Sequence, residues 1–271
     1  MSAVQLEPRR VAKVWGRRDL GPPFGAVADD AEPVGEIWFE PPDGRGAALL
    51  VKYLFTSERL SIQVHPDDTA AKAAGRGARG KDEAWLILSA DPGATIGLGL
   101  THRISRDTLR QAALDGSIEA LVDWRPVCAG DVFYSPAGTI HAIGAGLKLI
   151  EVQQNVDLTY RLYDYGRPRE LHLDKAVAVA RAEPFRGEQA QRTISDGRTE
   201  LCAGDRLRLE RCSGPGRFEI AGAAWVIPLG GRASLDGEAI EAGSVWMTDG
   251  AAALDLHDEA ETLVAFACAP A

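Results

Sequence analysis

Short runs that alternate apolar with polar residues, each closed by glycine or proline, confine this chain to an all-β architecture with a few helices. Successive side chains on a strand point to opposite faces, so residues two apart share one. The run Leu60-Ser61-Ile62-Gln63-Val64-His65 shows the pattern most clearly. Leu60, Ile62 and Val64 fall on one face, and Ser61, Gln63 and His65 on the other. The 29 glycines and 15 prolines are scattered as punctuation, which suits many short strands joined by turns. Strands are expected at 35–40, 49–55, 61–65, 84–89, 131–135, 141–143, 148–153 and 159–162.

One helical interval interrupts them. Ser105 is placed to cap a helix starting at Arg106, with Leu109, Ala112 and Ala113 on one face and Gly116 as its stop. Ser117 is expected to cap a second short helix carrying Ile118, Leu121 and Val122, and a third should run from about 173 to 181. Beyond about residue 186 short strands and turns return. An internal echo links the two halves. Ala129-Gly130-Asp131-Val132-Phe133-Tyr134-Ser135 resembles Ala242-Gly243-Ser244-Val245-Trp246-Met247-Thr248, and Ala84-Trp85-Leu86-Ile87 resembles Ala224-Trp225-Val226-Ile227. Continued, that alignment sets Ala223 against Glu83 and Leu254 against His141.

The polar faces carry the chemistry. Gln63 and His65 offer an amide oxygen and an imidazole on one face. The strand-like run Lys81–Leu88 offers Lys81 and Glu83 at the same spacing, and His141 follows Pro136-Ala137-Gly138-Thr139-Ile140. Two imidazoles, a carboxylate and an amide oxygen make a metal site of the catalytic kind, with a position left for water or substrate. Zinc, manganese, iron and cobalt all accept such a set. His102, behind a glycine-rich turn, and His172 and His257, in polar surroundings, are given no such role. The polar stretch from Glu151 to Arg161 reads as a turn delivering Asp157 and Arg161 to a common rim. Arginine's planar fork suits a phosphate or a developing oxyanion.

Thirty basic against 39 acidic residues leave a formal charge of −9 and a pI near 5.1, with no basic patch or stripe. Nucleic acid is therefore excluded as a partner, and an anionic substrate would need a local basic pocket. Cys128, Cys202, Cys212 and Cys268 form no C-x-x-C pair and read as reduced thiols. Arg9, Arg10 and Lys13 near the start are followed by no apolar stretch of the signal-peptide kind. No run is long enough to span a membrane, so a cytoplasmic protein is expected.

Several of these segments occur in order in one known family. They are Gly35-Glu36-Ile37-Trp38, Gln63-Val64-His65-Pro66-Asp67-Asp68, Lys81-Asp82-Glu83-Ala84-Trp85, Pro136 to Ile143, Glu151 to Asn155, Asp157, Thr159 to Tyr165, and Pro168 to His172. Over roughly residues 14 to 180 the chain resembles the short bacterial type I mannose-6-phosphate isomerases (phosphomannose isomerases) of the cupin superfamily. The resemblance implies a jelly-roll catalytic unit over 1–185, with its helical insert around 105–122. A degenerate, metal-free second cupin-like unit would follow over 186–271. It further implies one divalent metal per chain, zinc, held by Gln63, His65, Glu83 and His141, and an active-site arginine at Arg161. Many relatives carry Thr-Glu or Pro-Glu after the lysine, where this chain has Asp82-Glu83.

The implied reaction interconverts mannose 6-phosphate and fructose 6-phosphate by moving a proton between C2 and C1 through an enediolate. The base is Lys81, once desolvation and the metal leave its amine uncharged, or a metal-bound water. Arg161 would hold the enediolate or the phosphate, and Asp157 would orient it or assist ring opening. Ser61 and Arg167 are expected phosphate contacts, and Glu151 is grouped with the substrate-binding residues. The sugar phosphate is the expected partner, and the chain is expected to be a monomer or weak homo-oligomer. Two other readings stay open: a metal-dependent dioxygenase on the same scaffold, and a non-catalytic sugar-phosphate-binding cupin. Oxygen uptake would mark the first, and absence of isomerisation the second.

Overall fold

A computed structural model describes residues 3–42, 46–187 and 191–268 of the chain. Along the first half run β1 (Val4–Gln5), β2 (Glu7–Arg17), β3 (Val34–Glu40), β4 (Leu49–Thr56) and β5 (Ile62–Val64). There follow α1 (Asp68–Ala73), β6 (Glu83–Ala90), β7 (Thr95–Leu100), α2 (Arg106–Asp115) and α3 (Ile118–Leu121). The half closes with β8 (Val122–Pro126), β9 (Val132–Ser135), β10 (His141–Ile143), β11 (Leu147–Gln154), β12 (Tyr160–Tyr163) and α4 (Leu173–Val179). The second half holds β13 (Arg192–Ser195), β14 (Arg198–Ala203), β15 (Leu207–Ser213) and β16 (Gly216–Ile220). Its last strands are β17 (Ala223–Leu235), β18 (Glu238–Ile240), β19 (Trp246–Asp249) and β20 (Ala252–Ala267). Among the described residues no helix is long and apolar enough to cross a membrane.

Three antiparallel sheets stack. A five-stranded sheet, β12-β5-β10-β7-β8, faces a six-stranded one, β2-β3-β4-β11-β6-β9. Between them lie Leu54, Trp85, Ile87, Ile96, Leu98, Ile143 and Leu149, all buried. The outer face of the five-stranded sheet is covered by α2 and α4 through Leu109, Ala112, Ala113 and Ala176. The outer face of the six-stranded sheet packs Phe39, Val51, Leu86 and Val152 against Leu209, Trp225, Ile227 and Leu263 of the nine-stranded sheet. Covered on both faces, β4 and β11 are almost continuously buried, and β4 is apolar at all but Lys52 and Thr56 instead of alternating. Period-two geometry still holds within β6, where Glu83, Trp85 and Ile87 share the face turned toward the five-stranded sheet.

The expected strands are all found, within a residue or two at each end. Ser105 caps α2 by accepting from Thr108 N, and Gly116 ends it in the left-handed conformation. Ser117 does not cap α3: it is itself helical and its side chain makes no capping bond. Val122 begins β8 instead of ending a helix. The glycine-rich stretch before His102 is not a turn but β7, an interior strand. Glycine is required there by close approach, since a Cβ at Gly97 would lie 2.4 Å from Val122 and one at Gly99 2.3 Å from Phe185 N. β2 carried no strand signal because it is a sheet edge, where charged residues such as Arg9, Arg10 and Lys13 keep other chains from pairing. The second half also departs from short strands. β17 and β20 have 13 and 16 residues, and breaks in register around Gly230 let them bend and stay paired.

The echoing segments occupy comparable places. β6 pairs with β9, and β17 pairs with β19. The second pair is offset by one residue: Glu83 faces Ser135, whereas Ala224, not Ala223, faces Thr248. Ala223 is exposed and Leu254 is fully buried among apolar neighbours.

Candidate metal centre and substrate cavity

Strand register assembles the centre. In the five-stranded sheet β5 lies between β10 and β12, with Gln63 opposite His141 on one side and Arg161 on the other. Three residues far apart in sequence thus form one row. Across the gap, β6 brings Glu83 forward, with Lys81 just ahead of the strand. Glu83 is flanked in its own sheet by Gln153 and Ser135. His65, one residue past β5, completes the group. His65, Glu83 and His141 each offer a ligand atom, all within 4.8 Å of one another.

Both imidazoles are held in the same tautomer. His65 Nδ1–H donates to Leu158 O at 2.9 Å, and His141 Nδ1–H to Thr139 O at 2.9 Å. Each Nε2 lone pair is thereby turned toward Glu83: His65 Nε2 is 3.1 Å from Oε1 and His141 Nε2 is 3.5 Å from Oε2. Burial and the adjacent Lys81 ammonium push the His65 imidazolium down to about 3, and burial lowers that of His141. Both rings are neutral near pH 7, the form that binds metal. Burial would raise the Glu83 carboxyl, but Lys81 and the two histidines outweigh it and keep the group ionised.

These residues fit a divalent cation. Glu83 is completely buried, and among the described residues its Oε2 has no hydrogen-bond partner, a costly condition that a cation would relieve. Gln63 Nε2 donates to His141 Nε2 at 3.2 Å, and a half-turn of the amide presents Oε1 to the same point. The Lys81 ammonium rests against Glu83 Oε1 and lies 3.3 Å from His65 Nε2. Two cations this close would repel strongly, so a metal held here would compete with the Lys81 amine for Glu83.

Beside the group lies a cavity of about 210 Å³. Ser61, Gln63, Lys81, Glu151, Asp157 and Arg161 all line it. Its wall holds five cationic side chains against three carboxylates, a local excess of positive charge on an acidic protein. Four larger cavities, of about 680, 600, 460 and 440 Å³, have none of Gln63, Lys81 or Arg161 in their walls. Arg167 does not line the 210 Å³ cavity. It pairs with Asp164 at 2.8 Å and Glu58 at 3.5 Å and donates to Arg59 O at 2.8 Å. The stretch from Glu151 to Gln154 is the end of β11 and not a turn; only residues after it bend toward Asp157.

Sequence reasoning overlooked Lys13, Glu36, Trp38, Lys52 and Arg169 in the wall. Lys52 had a visible signal, since it is the one charged residue in the apolar run Leu49-Leu50-Val51-Lys52-Tyr53-Leu54-Phe55. It is 4 % exposed, pairs with Glu151 at 3.0 Å and sits 4.5 Å from the centre of the Trp38 ring. Burial and the neighbouring Glu83 push the Glu151 carboxyl up, and Lys52 opposes this. Lys52→Met should therefore cost about 3–5 kcal/mol in chemical denaturation at neutral pH. In that variant the folded protein holds the Glu151 proton more tightly than the unfolded chain does. Stability should accordingly fall as pH rises and partly recover in acid. A flat profile would show that Glu151 is no longer buried.

No family model matches the chain. It is 34% identical over 212 residues to a Bacillus subtilis (strain 168) protein named as a probable mannose-6-phosphate isomerase, covering 64% of this chain and 67% of that one. It is 44% identical over 137 residues to the mannose-6-phosphate isomerase of Streptococcus mutans serotype c, covering 48% of this chain and 43% of the relative. These two alignments span from under half to about two thirds of the curated relatives' length. The crystal structure of the mannose 6-phosphate isomerase from Bacillus subtilis matches with a TM-score of 0.84 and 27% identity, over 98% of this chain and 100% of that one. A single-site variant of the Salmonella typhimurium phosphomannose isomerase shares the fold at 15% identity, with a TM-score of 0.77 over 99% of this chain and 100% of that one. The cupin-type jelly roll expected from the sequence is the architecture found.

Proposed function

The chain belongs to the mannose-6-phosphate isomerase family, and on that premise we infer that it interconverts D-mannose 6-phosphate and D-fructose 6-phosphate. It is an aldose–ketose isomerase. The observation that carries this reading is the buried trio His65, Glu83 and His141, with two tied tautomers and an unpartnered carboxylate oxygen, beside a cavity with excess positive charge.

Gln63, His65, Glu83 and His141 would hold one divalent cation, and zinc would suit their nitrogen and oxygen donors. Once bound, such an ion polarises the sugar carbonyl and offsets the negative charge that builds as the C2 proton leaves. Lys81, freed from Glu83 and acting as the uncharged amine, would be the base that takes the C2 proton and returns it to C1 on one face of the enediolate. Arg161 faces the same cavity with a buried Nε that no group among the described residues accepts from, so it can donate to an oxyanion. Asp157 orients the substrate against Arg161, while the Ser61 hydroxyl and the cationic rim receive the phosphate. Glu151 shapes the wall through its pair with Lys52.

The second half is read as a degenerate cupin-like unit over 186–271. In support, apolar residues, Ala223 and Leu254, stand where the echo aligns Glu83 and His141. Free thiols at all four cysteines fit a reducing cytoplasm, and the chain works as a monomer or weak homo-oligomer. A dioxygenase reading is less favoured because the cavity wall is charged where such chemistry calls for an apolar pocket.

The test is direct. Protein given fructose 6-phosphate should form mannose 6-phosphate, lose the activity with chelator and regain it with added zinc. Oxygen consumption without isomerisation would overturn the assignment.

A further inference from the structure

Asp82 lies between Lys81 and Glu83 in sequence, yet its carboxylate turns away from the cavity. Its Oδ1 accepts from Ala137 N at 2.9 Å, and its Oδ2 accepts from the Tyr134 hydroxyl. Ala137 opens the loop that carries His141. Within that loop Gly138 N donates to His65 O at 2.8 Å, and Thr139 O takes the His141 Nδ1–H. One carboxylate therefore ties the segment that orients the His141 imidazole, and that meets the His65 backbone, to the strand that presents Glu83.

The same residue is anchored from the second half by two routes. The Tyr134 ring lies against Gly204, where an added Cβ would sit 1.9 Å from Cζ, so only glycine leaves room for it. Asp82 N donates to Gln154 Oε1 at 3.0 Å, and Gln154 Nε2 donates to Asp68 Oδ1 at 3.0 Å. Asp68 Oδ2 in turn receives Arg206 Nε at 2.9 Å. Gly204 and Arg206 belong to the bend between β14 and β15. That bend thus braces the loop from behind.

We propose that Asp82 is a positioning residue for the metal centre, and that the 204–206 bend of the second half buttresses the centre through it. This rests on the reading of Gln63, His65, Glu83 and His141 as metal ligands.

The experiment compares wild type, Asp82→Ala, Asp82→Asn and Tyr134→Phe. It measures zinc affinity by competition with a chromophoric chelator, melting of the metal-free protein, and kcat and KM at saturating zinc. Asp82→Ala should weaken zinc binding roughly 10- to 100-fold, the usual cost of losing a group that holds ligands in place. It should lower kcat while leaving KM for fructose 6-phosphate near the wild-type value. Asp82→Asn keeps an oxygen for Ala137 N and should restore most of the affinity, and Tyr134→Phe should weaken it less than Asp82→Ala does. Wild-type affinity in Asp82→Ala, even with a lower melting temperature, would overturn the proposal by making the residue merely structural. If Asp82→Ala does not fold, Tyr134→Phe decides: weakened zinc binding supports the proposal and unchanged binding overturns it. Failure of the wild type itself to bind zinc would instead sink the metal reading.

Discussion

His141→Ala should release the bound metal and reduce isomerase turnover to background. The imidazole is 1 % exposed, and its Nε2 is one of only two nitrogen donors in the group. Loss of a group that merely orients a ligand commonly costs about 10–100-fold in metal affinity, and losing the ligand itself should exceed that. Lys81 would keep its ion pair with Glu83, and among the described residues no His, Cys, Asp or Glu beyond the trio joins the cluster. Metal content after dialysis and the coupled assay read the two effects separately. Full activity in metal-free buffer would refute the site.

Arg161→Ala should leave the metal bound and lower kcat by about 10²–10³-fold, the typical cost of removing one preorganised donor to a developing oxyanion. The guanidinium is preorganised: Nη1 donates to Glu170 O at 2.7 Å, the residue sits opposite Gln63, and Nε is buried with no partner among the described residues. An interaction made mainly in the transition state appears in kcat rather than KM. Arg161→Lys should rescue little, because a point charge does not reproduce the planar fork. A rise in KM with unchanged kcat would reduce Arg161 to a binding role.

Much of this was legible from residue order because it depends on local rules. Period-two alternation placed Gln63 and His65, the strand-like run located Glu83, and Ser105 with Gly116 bounded α2. What escaped depends on layers. β7 reads as a turn until Val122 and Phe185 are seen pressing on its glycines, and β2 reads as a charged terminus until it is seen as an edge. Lys52, Glu36 and Trp38 enter the site only because the six-stranded sheet turns that face toward the cavity, which alternation alone cannot specify for a strand buried on both sides. Arg167 stands apart from the cavity for a different reason. Its sequence neighbourhood matched the family, but Asp164, three residues earlier, captures it before it reaches the cavity.

The most direct measurement is anomalous scattering at the zinc edge from crystals of the protein grown with zinc. A single strong peak should lie at about 2.0–2.2 Å from Gln63 Oε1, His65 Nε2, a Glu83 oxygen and His141 Nε2, with the Lys81 amine displaced from Glu83. A peak at the cysteines, at the second half, or nowhere near this quartet would contradict the metal centre and the isomerase mechanism built on it.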